Sequence, residues 1–208
     1  FWSTSKTCPI LNLNFKLTAV FCVFLVLFNC KEGKRFSTIE SEFQTSLNAL
    51  FKDASRSPLK PEDIKTFKGL SFFPVDSSFV VVSKLKRTNT SDFFEMKTST
   101  TRLSKERVFG ILSFTIKGLN YSLKVYQSES SVLESSDYLF LPYLDATNGI
   151  TTYGGGRYLD LKIPEGDSIW LDFNKSYNPY CIYNERYSCP IVPIENLLPI
   201  KVLSLIHI

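Results

Sequence analysis

Hydrophobic and polar positions along this chain follow two different periods, and the first gives way to the second near Ser71. Before Ser71, one stripe of apolar residues recurs at helical spacing, at Ile39, Phe43, Leu47, Leu50 and Phe51. Ser37 and Glu40 have the spacing of a capping box, so we predict that this helix begins beside them. Pro58 and Pro61 then end the helix, because proline cannot continue its hydrogen bonds. The single apolar face predicts an amphipathic helix that packs on the rest of the domain.

From Ser71 onward, apolar and polar residues alternate, and β-branched and aromatic residues are common. Turn-forming residues recur about every ten positions, and Lys117–Asn120 carries the signal of a hairpin. The predicted strands are 79–85, 93–96, 108–116, 121–126, 138–141, 157–162 and 168–173. This pattern predicts an α+β fold that is mainly antiparallel β, with the N-terminal amphipathic helix packed on a sheet curled into a sandwich or a partial barrel.

A different apolar run precedes the helix. Residues Leu17–Phe28 are apolar apart from Thr18, follow Lys16 and stop at Asn29 and Cys30. A helix of this length would reach about 18 Å, against about 30 Å of bilayer hydrocarbon, so the run has the layout of a secretory signal peptide. Its end resembles the lipobox of bacterial lipoproteins, in which the cysteine is acylated, although Asn29 replaces the usual small residue. An uncleaved anchor and a plain signal peptide remain as alternatives.

The lipobox predicts four segments in the chain. Residues 1–29 are a signal peptide with upstream read-through, since the chain starts at Phe1, and residues 30–36 are the lipidated cysteine and a tether. Residues 37–202 form one domain, and residues 203–208 resemble the translation of a sequencing adapter, which would place His207 outside the protein. We therefore expect a bacterial cell-envelope protein, bound to membrane lipid through acylated Cys30 and facing either the periplasm or the outer-membrane surface.

Charge and motifs exclude several classes of function. Lys6 and Lys16 are the only charges before Cys30, which leaves 22 basic residues against 20 acidic ones and gives no electrostatic basis for binding nucleic acid. The chain has no GxSxG, HExxH or P-loop sequence. With His207 set aside, the domain has no imidazole for a catalytic triad or a histidine base. The sequence therefore leans away from an enzyme and predicts no cofactor.

The five cysteines are assigned once the signal peptide is accepted. Cys8 and Cys22 leave with it and Cys30 takes lipid, so that Cys181 and Cys189 remain as a pair. Outside the cytoplasm, a nearby pair predicts a disulfide. Two free thiols are the main alternative, and a redox or metal site is a third; since a zinc site lacks two further ligands, we predict no metal.

Polar side chains concentrate in two late blocks of the sequence. Gly154–Gly156 precede Arg157 and predict either an anion-binding loop or a turn that needs positive φ. The second block, which follows the last predicted strand, is rich in Asn, Tyr and Pro, and its side chains could simply satisfy local backbone groups. Alternatively the two blocks converge on a ligand framed by Tyr177; the candidate ligand-binding residues are then Asp145, Tyr153, Arg157, Asp172, Asn174 and Asn178.

Two classes of function stay open at this level. The first is an envelope lipoprotein that binds a small or extended ligand, or a protein partner, through the late loops. The second is a hydrolase or lyase that uses carboxylates such as Asp145 and Asp172, with or without a divalent metal ion. Because a nucleophile motif is absent, the sequence favours binding.

Several segments of the chain also resemble a known family. They read FKDASRSPL, FKGLSFFPVD, VFGILSFTIKG, LFLPYLDATNGITTYGGGRYLDL and LDFNKSYNPYCIYNERYSCPIVPIENLLPI. On these segments, from Phe51 to about Ile200, the chain is similar to the bacterial family called domain of unknown function 1684 (DUF1684). Its short lipid-anchored form, with Cys-Lys at the mature start, resembles members from Bacteroidetes-type bacteria. The resemblance implies a single domain in which the late motifs matter, and it implies no reaction, because the family has no established activity.

Overall fold

The computed structural model of this chain describes residues 41–88 and 91–203. The predicted signal peptide, Cys30, the capping pair Ser37 and Glu40, and residues 204–208 lie outside the described residues. Within the described ranges, no helix is both long enough and apolar enough to cross a membrane.

The secondary structure is dominated by strands, with few and short helices. The helices are α1 (Glu42–Lys52), α2 (Pro61–Ile64) and α3 (Glu129–Leu133). The strands are β1 (Val80–Arg87), β2 (Phe94–Lys97), β3 (Leu103–Ile116), β4 (Leu119–Ser128), β5 (Tyr138–Asp145), β6 (Arg157–Lys162), β7 (Ser168–Asp172) and β8 (Leu197–Leu198). Single 3-10 turns precede β1, follow β7 and lie in the last loops, at Ser77–Phe79, Phe173–Lys175, Tyr180–Ile182 and Ile194–Asn196.

Helix α1 begins at a capping box formed by Ser41 and Gln44. The Gln44 amide donates to Ser41 Oγ at 3.2 Å, and the Ser41 amide donates to Gln44 Oε1 at 2.9 Å. The apolar face of the helix includes Phe51, whose ring centroid lies 6.2 Å from that of Tyr180 and 5.0 Å from that of Tyr183. These contacts connect α1 to the loop that follows β7.

The strands form one curled sheet, a half-barrel. Six strands follow the order β6-β5-β4-β3-β1-β7, all neighbours antiparallel, while β2 pairs with β3 and β8 runs parallel to β5. The prediction of a mainly antiparallel, curled sheet is confirmed. Because β6 and β7 stand at the two ends of the strand order, the half-barrel has an open side bounded by these two edge strands.

The β3–β4 hairpin is the longest pairing in the sheet. Its register runs from Glu106 opposite Ser128 to Ile116 opposite Leu119. The turn consists of Lys117 and Gly118, with φ of 51° and 80°, which is the left-handed conformation that two-residue hairpin turns require. The turn was predicted to span the four residues Lys117–Asn120 but has only two, because Leu119 and Asn120 already pair with β3.

A buried asparagine links β4 and β5, which pair directly only at Tyr126 and Phe140. The Asn196 side chain is fully buried and takes the place of strand backbone. Its Oδ1 accepts from the Lys124 amide at 2.8 Å, and its Nδ2 donates to the carbonyls of Lys124 at 2.8 Å and Pro142 at 2.7 Å. The sheet thus keeps its hydrogen bonds where the two strands separate.

Alternation along the edge strands divides the core from the outer surface. The inner face carries the main apolar core, to which β6 and β7 contribute Leu159, Leu161, Ile169 and Leu171. The residues between them in the sequence face outward and are exposed: Asp160, Lys162, Ser168 and Trp170. The outer side of the edge strands therefore combines charged and aromatic side chains.

Candidate functional site

Asp145 and Arg157, two of the predicted ligand-binding residues, meet in the protein interior. Asp145 ends β5 and Arg157 begins β6, so antiparallel pairing brings both to one end of the sheet. Arg157 Nη2 donates to Asp145 Oδ2, and both side chains are fully buried. The same Nη2 donates to the Val202 carbonyl at 2.7 Å, and the Thr147 amide donates to Asp145 Oδ1 at 2.6 Å. The pair ties two strands to the C-terminal segment.

The glycine-rich segment before Arg157 is a turn into β6. Gly156 has a φ of +88°, and a Cβ there would lie 2.6 Å from the Tyr143 carbonyl oxygen and 2.7 Å from Val192 Cγ2. Glycine is therefore needed both for the backbone conformation and for the close approach of β5. Since the Arg157 side chain is directed to Asp145, the segment takes the turn conformation and not that of an anion-binding loop.

Asp172 and Asn174 form a separate group at the end of β7. Asp172 Oδ1 accepts from the backbone amide and from Nδ2 of Asn174, each at 3.0 Å. Asn174 also exchanges two hydrogen bonds of 3.0 Å with the backbone of Asp76, which fastens this turn to the segment before β1. Both residues border a depression of about 370 Å³ beside the start of α1, together with Lys175.

The remaining candidates, Asn178 and Tyr153, have different neighbours again. Asn178 is buried, and its Nδ2 donates to the Tyr183 hydroxyl at 3.3 Å. Tyr153 is half-buried, and burial raises the pKa of its hydroxyl. The structure thus distributes the six predicted residues over separate sets of contacts, and most of these contacts hold the loops together.

The two carboxylates of the hydrolase or lyase alternative occupy different environments. Asp145 has no exposed side-chain surface and is bound to Arg157, whereas Asp172 borders solvent-accessible depressions. Because substrate cannot reach Asp145, the two carboxylates cannot act together as acid and base. In residues 41–88 and 91–203, no group of three or more histidine, cysteine, aspartate or glutamate side chains is placed to hold a metal ion.

Cys181 and Cys189, the predicted disulfide partners, are neighbours and both are free thiols in the structure. The Cys181 amide donates to Cys189 Sγ at 3.2 Å. Burial raises the pKa of the Cys189 thiol to about 11, with the hydrogen bond from the Cys181 amide acting in the opposite direction. The chain therefore brings the two sulfurs together without joining them, and the disulfide stays a prediction.

A cleft of about 480 Å³ lies at the open side of the half-barrel, between the edge strands β6 and β7. Trp170 lines it and is 70% exposed, in contrast to its buried neighbours in β7. The lining combines this ring with an aliphatic side chain, two carboxylates and two amines, from Ile163, Asp160, Asp172, Lys162 and Lys175. We call this the seam cleft.

Asp160, on the β6 side of the seam cleft, is oriented by two tyrosines. Its Oδ1 accepts hydrogen bonds from the hydroxyls of Tyr138 at 2.8 Å and Tyr177 at 2.7 Å. Burial raises the pKa of both tyrosines, and the Asp160 charge adds to the rise, so both hydroxyls remain protonated donors at neutral pH. Tyr177 is itself fixed by two backbone hydrogen bonds of 2.9 Å with Tyr158. The Asp160 carboxylate is therefore held in a fixed orientation.

Comparison with known proteins gives the family. The model of a family described as "Protein of unknown function (DUF1684)" matches residues 65–204. The chain belongs to the DUF1684 family. The matched residues include the whole sheet, and with it the seam cleft of this DUF1684 domain.

A solved structure has the same fold as this DUF1684 domain. It is the solution NMR structure of an uncharacterized protein from Haloarcula marismortui, which is 28% identical. The similarity covers 93% of this chain and 97% of that chain, with a TM-score of 0.62. The comparison with curated proteins gave no match.

The residues of the seam cleft in this DUF1684 domain were not among the sequence candidates, apart from Asp172. One signal could have found Trp170, because it stands at an outward position between two core residues of a predicted strand. Asp160 and Lys162 occupy the outward positions of β6 by the same alternation. The sequence does not predict that β6 and β7 lie close together, because their distance depends on how strongly the sheet curls.

Proposed function

We propose that this DUF1684 protein is a lipid-anchored protein of the bacterial cell envelope whose domain binds a ligand in the seam cleft. The observation that supports the site is the exposed ring of Trp170 in a cleft that also holds Asp160 in a fixed orientation. Recognition sites typically combine an aromatic or apolar surface with a few oriented polar groups. At 70% exposure, the Trp170 ring is accessible to a ligand.

Binding is favoured over catalysis by the places of the carboxylates. Asp145 is withdrawn into its ion pair with Arg157, so the hydrolase or lyase alternative loses one of its two groups. Asp172 is engaged by Asn174 through two hydrogen bonds and supports a loop. Asp160 is the carboxylate that two tyrosine hydroxyls orient toward a role in recognition.

The proposed anchor is an acyl chain on Cys30, in the manner of the Bacteroidetes-type lipoproteins that the sequence resembles. Its support is the apolar run that ends in Leu27, Phe28, Asn29 and Cys30. The protein would then reside on the periplasmic face or on the outer-membrane surface. Membrane lipid is its proposed partner at this end of the chain.

Metabolic labelling with palmitate tests the anchor. We expect label in the wild-type protein and none in Cys30→Ser. Cys22→Ser, within the same apolar run, is the matched control and should retain the label. Label that persists in Cys30→Ser would overturn the lipoprotein assignment.

A ligand screen tests the proposed site. The full chain is mixed with a library of metabolites, oligosaccharides and peptides, and the change in melting temperature is measured. We expect at least one compound class to raise it, and Trp170→Ala to abolish that rise. Ile194→Ala is the matched control, because Ile194 is 72% exposed and lies outside the lining of the seam cleft. A library without any effect on the wild type would overturn the binding function.

A further inference from the structure

We infer that the ligand of this domain is a neutral oligosaccharide, which lies across the outer face of the sheet from the seam cleft over Trp170 to the β1–β3 region. This inference rests on the proposed binding function and adds the class and the path of the ligand. Its starting point is the pairing of Trp170 with Val82 across β7 and β1. These side chains are 70% and 51% exposed and together form an apolar platform in the middle of a polar surface.

A second depression extends this platform away from the seam cleft. It has a volume of about 700 Å³ and is lined by Val82, together with polar side chains of β1, β3 and the start of β4. Ser168, in β7, borders both this depression and the seam cleft. The polar groups here include Lys84, Ser113 and Asn120. The two depressions therefore both adjoin β7, the strand that carries Trp170.

The charges along this surface balance, which favours an uncharged ligand. In the seam cleft, Asp160 and Asp172 stand against Lys162 and Lys175. In the second depression, the positive charge of Lys84 is balanced by the carboxylate of Asp167, in the β6–β7 loop. A polyanion would meet carboxylates in both depressions, and a polycation would meet amines in both. A neutral ligand meets neither repulsion.

The chemistry of the lining matches that of a sugar. A pyranose ring has a face of C–H groups, which packs on an indole such as that of Trp170, and an edge of hydroxyls, which both donate and accept hydrogen bonds. Carboxylates accept from these hydroxyls and amines donate to them, and Asp160 is already oriented by Tyr138 and Tyr177. A purely apolar ligand would make no hydrogen bonds to these polar groups and would remove part of them from water.

An extended peptide is disfavoured by the state of the β6 edge. Addition of a strand requires a row of free backbone groups. The backbone of Tyr158 is already bonded to Tyr177 in both directions, at 2.9 Å. Asp160 and Lys162 are then the remaining positions at which an added strand could pair with β6. Both carry charged side chains, which discourage strand addition at the edges of natural sheets.

Tryptophan fluorescence gives a direct test. The chain has two tryptophans, and Trp2 lies in the proposed signal peptide. Trp2→Phe therefore makes Trp170 the single reporter whether or not that segment is removed. The probes are neutral glucan and xylan oligosaccharides of two and six units. We expect a saturable change in emission with dissociation constants in the micromolar to millimolar range, and tighter binding of the hexasaccharides. Because the ligand is uncharged, affinity should change less than twofold between 50 mM and 500 mM salt.

Variants test the contributions of the seam cleft and of the second depression separately. Their binding is measured by calorimetry, because Trp170→Ala removes the fluorescent reporter. Trp170→Ala should weaken all of these sugars at least tenfold. Lys84→Ala should weaken the hexasaccharides several-fold and leave the disaccharides unchanged, since it lies in the second depression. Ile194→Ala should bind as the wild type does. Equal affinity of Trp170→Ala and the wild type for the sugars would overturn the inference.

The outcome also distinguishes this inference from the proposed function. If a peptide, a lipid or an anionic polymer binds in a Trp170-dependent manner and no neutral sugar does, the oligosaccharide inference is wrong and the binding function stands. If no compound of any class binds to the wild type, both are wrong.

Discussion

Arg157 donates a hydrogen bond to Asp145 inside the protein, and neither side chain has any exposed surface. Removing one member leaves the other charge buried without its partner, which typically costs about 3–5 kcal/mol. We therefore expect Arg157→Met to lower the free energy of unfolding by about that amount, measured by urea denaturation. The double variant Asp145→Leu/Arg157→Met should recover part of the loss, because it removes both charges but also the hydrogen bonds to the Thr147 amide and the Val202 carbonyl.

The control for this prediction is the strength of ligand binding. Since the pair lies outside the lining of the seam cleft, the double variant should bind as the wild type does. A loss below about 1 kcal/mol in the single variant would contradict a structural role for the pair, because surface ion pairs already reach that value.

Glu106 is a buried carboxylate, and we expect its ionised form to destabilise the fold at neutral pH. It is 4% exposed, its Oε1 accepts from Ser104 Oγ at 2.8 Å, and its Oε2 has no hydrogen-bond partner among the described residues. Burial raises its pKa above the usual value, against the lowering effects of Ser104 and Arg102. The folded state therefore favours the protonated form. Protonated Glu106 therefore stabilises the folded state relative to the ionised form. This stabilisation is fully present below pH 4.5, the ordinary pKa of the carboxyl, and is lost as the pH rises through its higher pKa in the folded protein.

Glu106→Gln should accordingly raise the free energy of unfolding at pH 7 by about 1 kcal/mol, because a neutral amide is less costly to bury than a carboxylate. The gain should shrink toward pH 4, where the wild-type carboxyl is protonated in both states. Glu95→Gln, at an exposed position of β2, should change stability by less than about 0.5 kcal/mol at either pH. A gain that is independent of pH would contradict this explanation.

Strand positions were largely predictable from the sequence, and their ends were less so. The bounds of β6 were predicted correctly, because it alternates and follows a glycine turn. β5 was predicted to stop at Leu141, before Pro142, but it continues to Asp145. Proline is tolerated there because β5 and β4 have already separated, and Asn196 bonds the Pro142 carbonyl instead. β3 was predicted to begin at Val108 but begins at Leu103. Its first residues are largely polar, and they form a strand because they pair with β2.

The candidate site was predicted less well, for a physical reason. Asparagine and aspartate in loops satisfy backbone groups with the same atoms that would bind a ligand. Asn174 and Asn196 both do so, and each replaces a missing stretch of strand pairing. Composition alone does not separate the two uses. Trp170 and Asp160 line one cleft because the curl of the sheet brings together β6 and β7, the two ends of the strand order.

Buried tyrosines predict a loss of stability at alkaline pH. Burial raises the pKa of Tyr138, Tyr158 and Tyr177 well above the ordinary value of 10.0. The unfolded chain releases these protons near pH 10, whereas the folded chain retains them, so folding is favoured fully below pH 10 and progressively less above it. Each such tyrosine should remove about 1.4 kcal/mol per pH unit above pH 10. The part of the tyrosinate absorbance at 295 nm that Tyr138→Phe, Tyr158→Phe and Tyr177→Phe remove should therefore appear together with unfolding measured by circular dichroism. If that part appears before unfolding, the prediction is contradicted.

The cysteine pair can be tested in its reduced state, by thiol alkylation, and in its oxidised state, by disulfide mapping. In the reduced protein, a pKa of about 11 for Cys189, against an ordinary 9.0, leaves roughly a hundredfold less thiolate near pH 8. Alkylation of Cys189 by iodoacetamide should therefore be slow in the folded protein and should still be accelerating at pH 10, below the range in which the buried tyrosines weaken the fold. The same residue in urea is the control, and a plateau near pH 9 in the folded protein would contradict the buried-thiol explanation.

After export or mild oxidation, we expect Cys181 and Cys189 to be joined. Trypsin cuts after Arg186, between them, so a disulfide would link two tryptic peptides that separate on reduction. Closing this short loop should raise the free energy of unfolding by about 2–3 kcal/mol, an increment that Cys189→Ser would lack. The structure already holds the Cys181 amide 3.2 Å from Cys189 Sγ, so little rearrangement is required. Peptides that remain separate after oxidation, with both thiols alkylated, would show that the pair serves as buried free thiols instead.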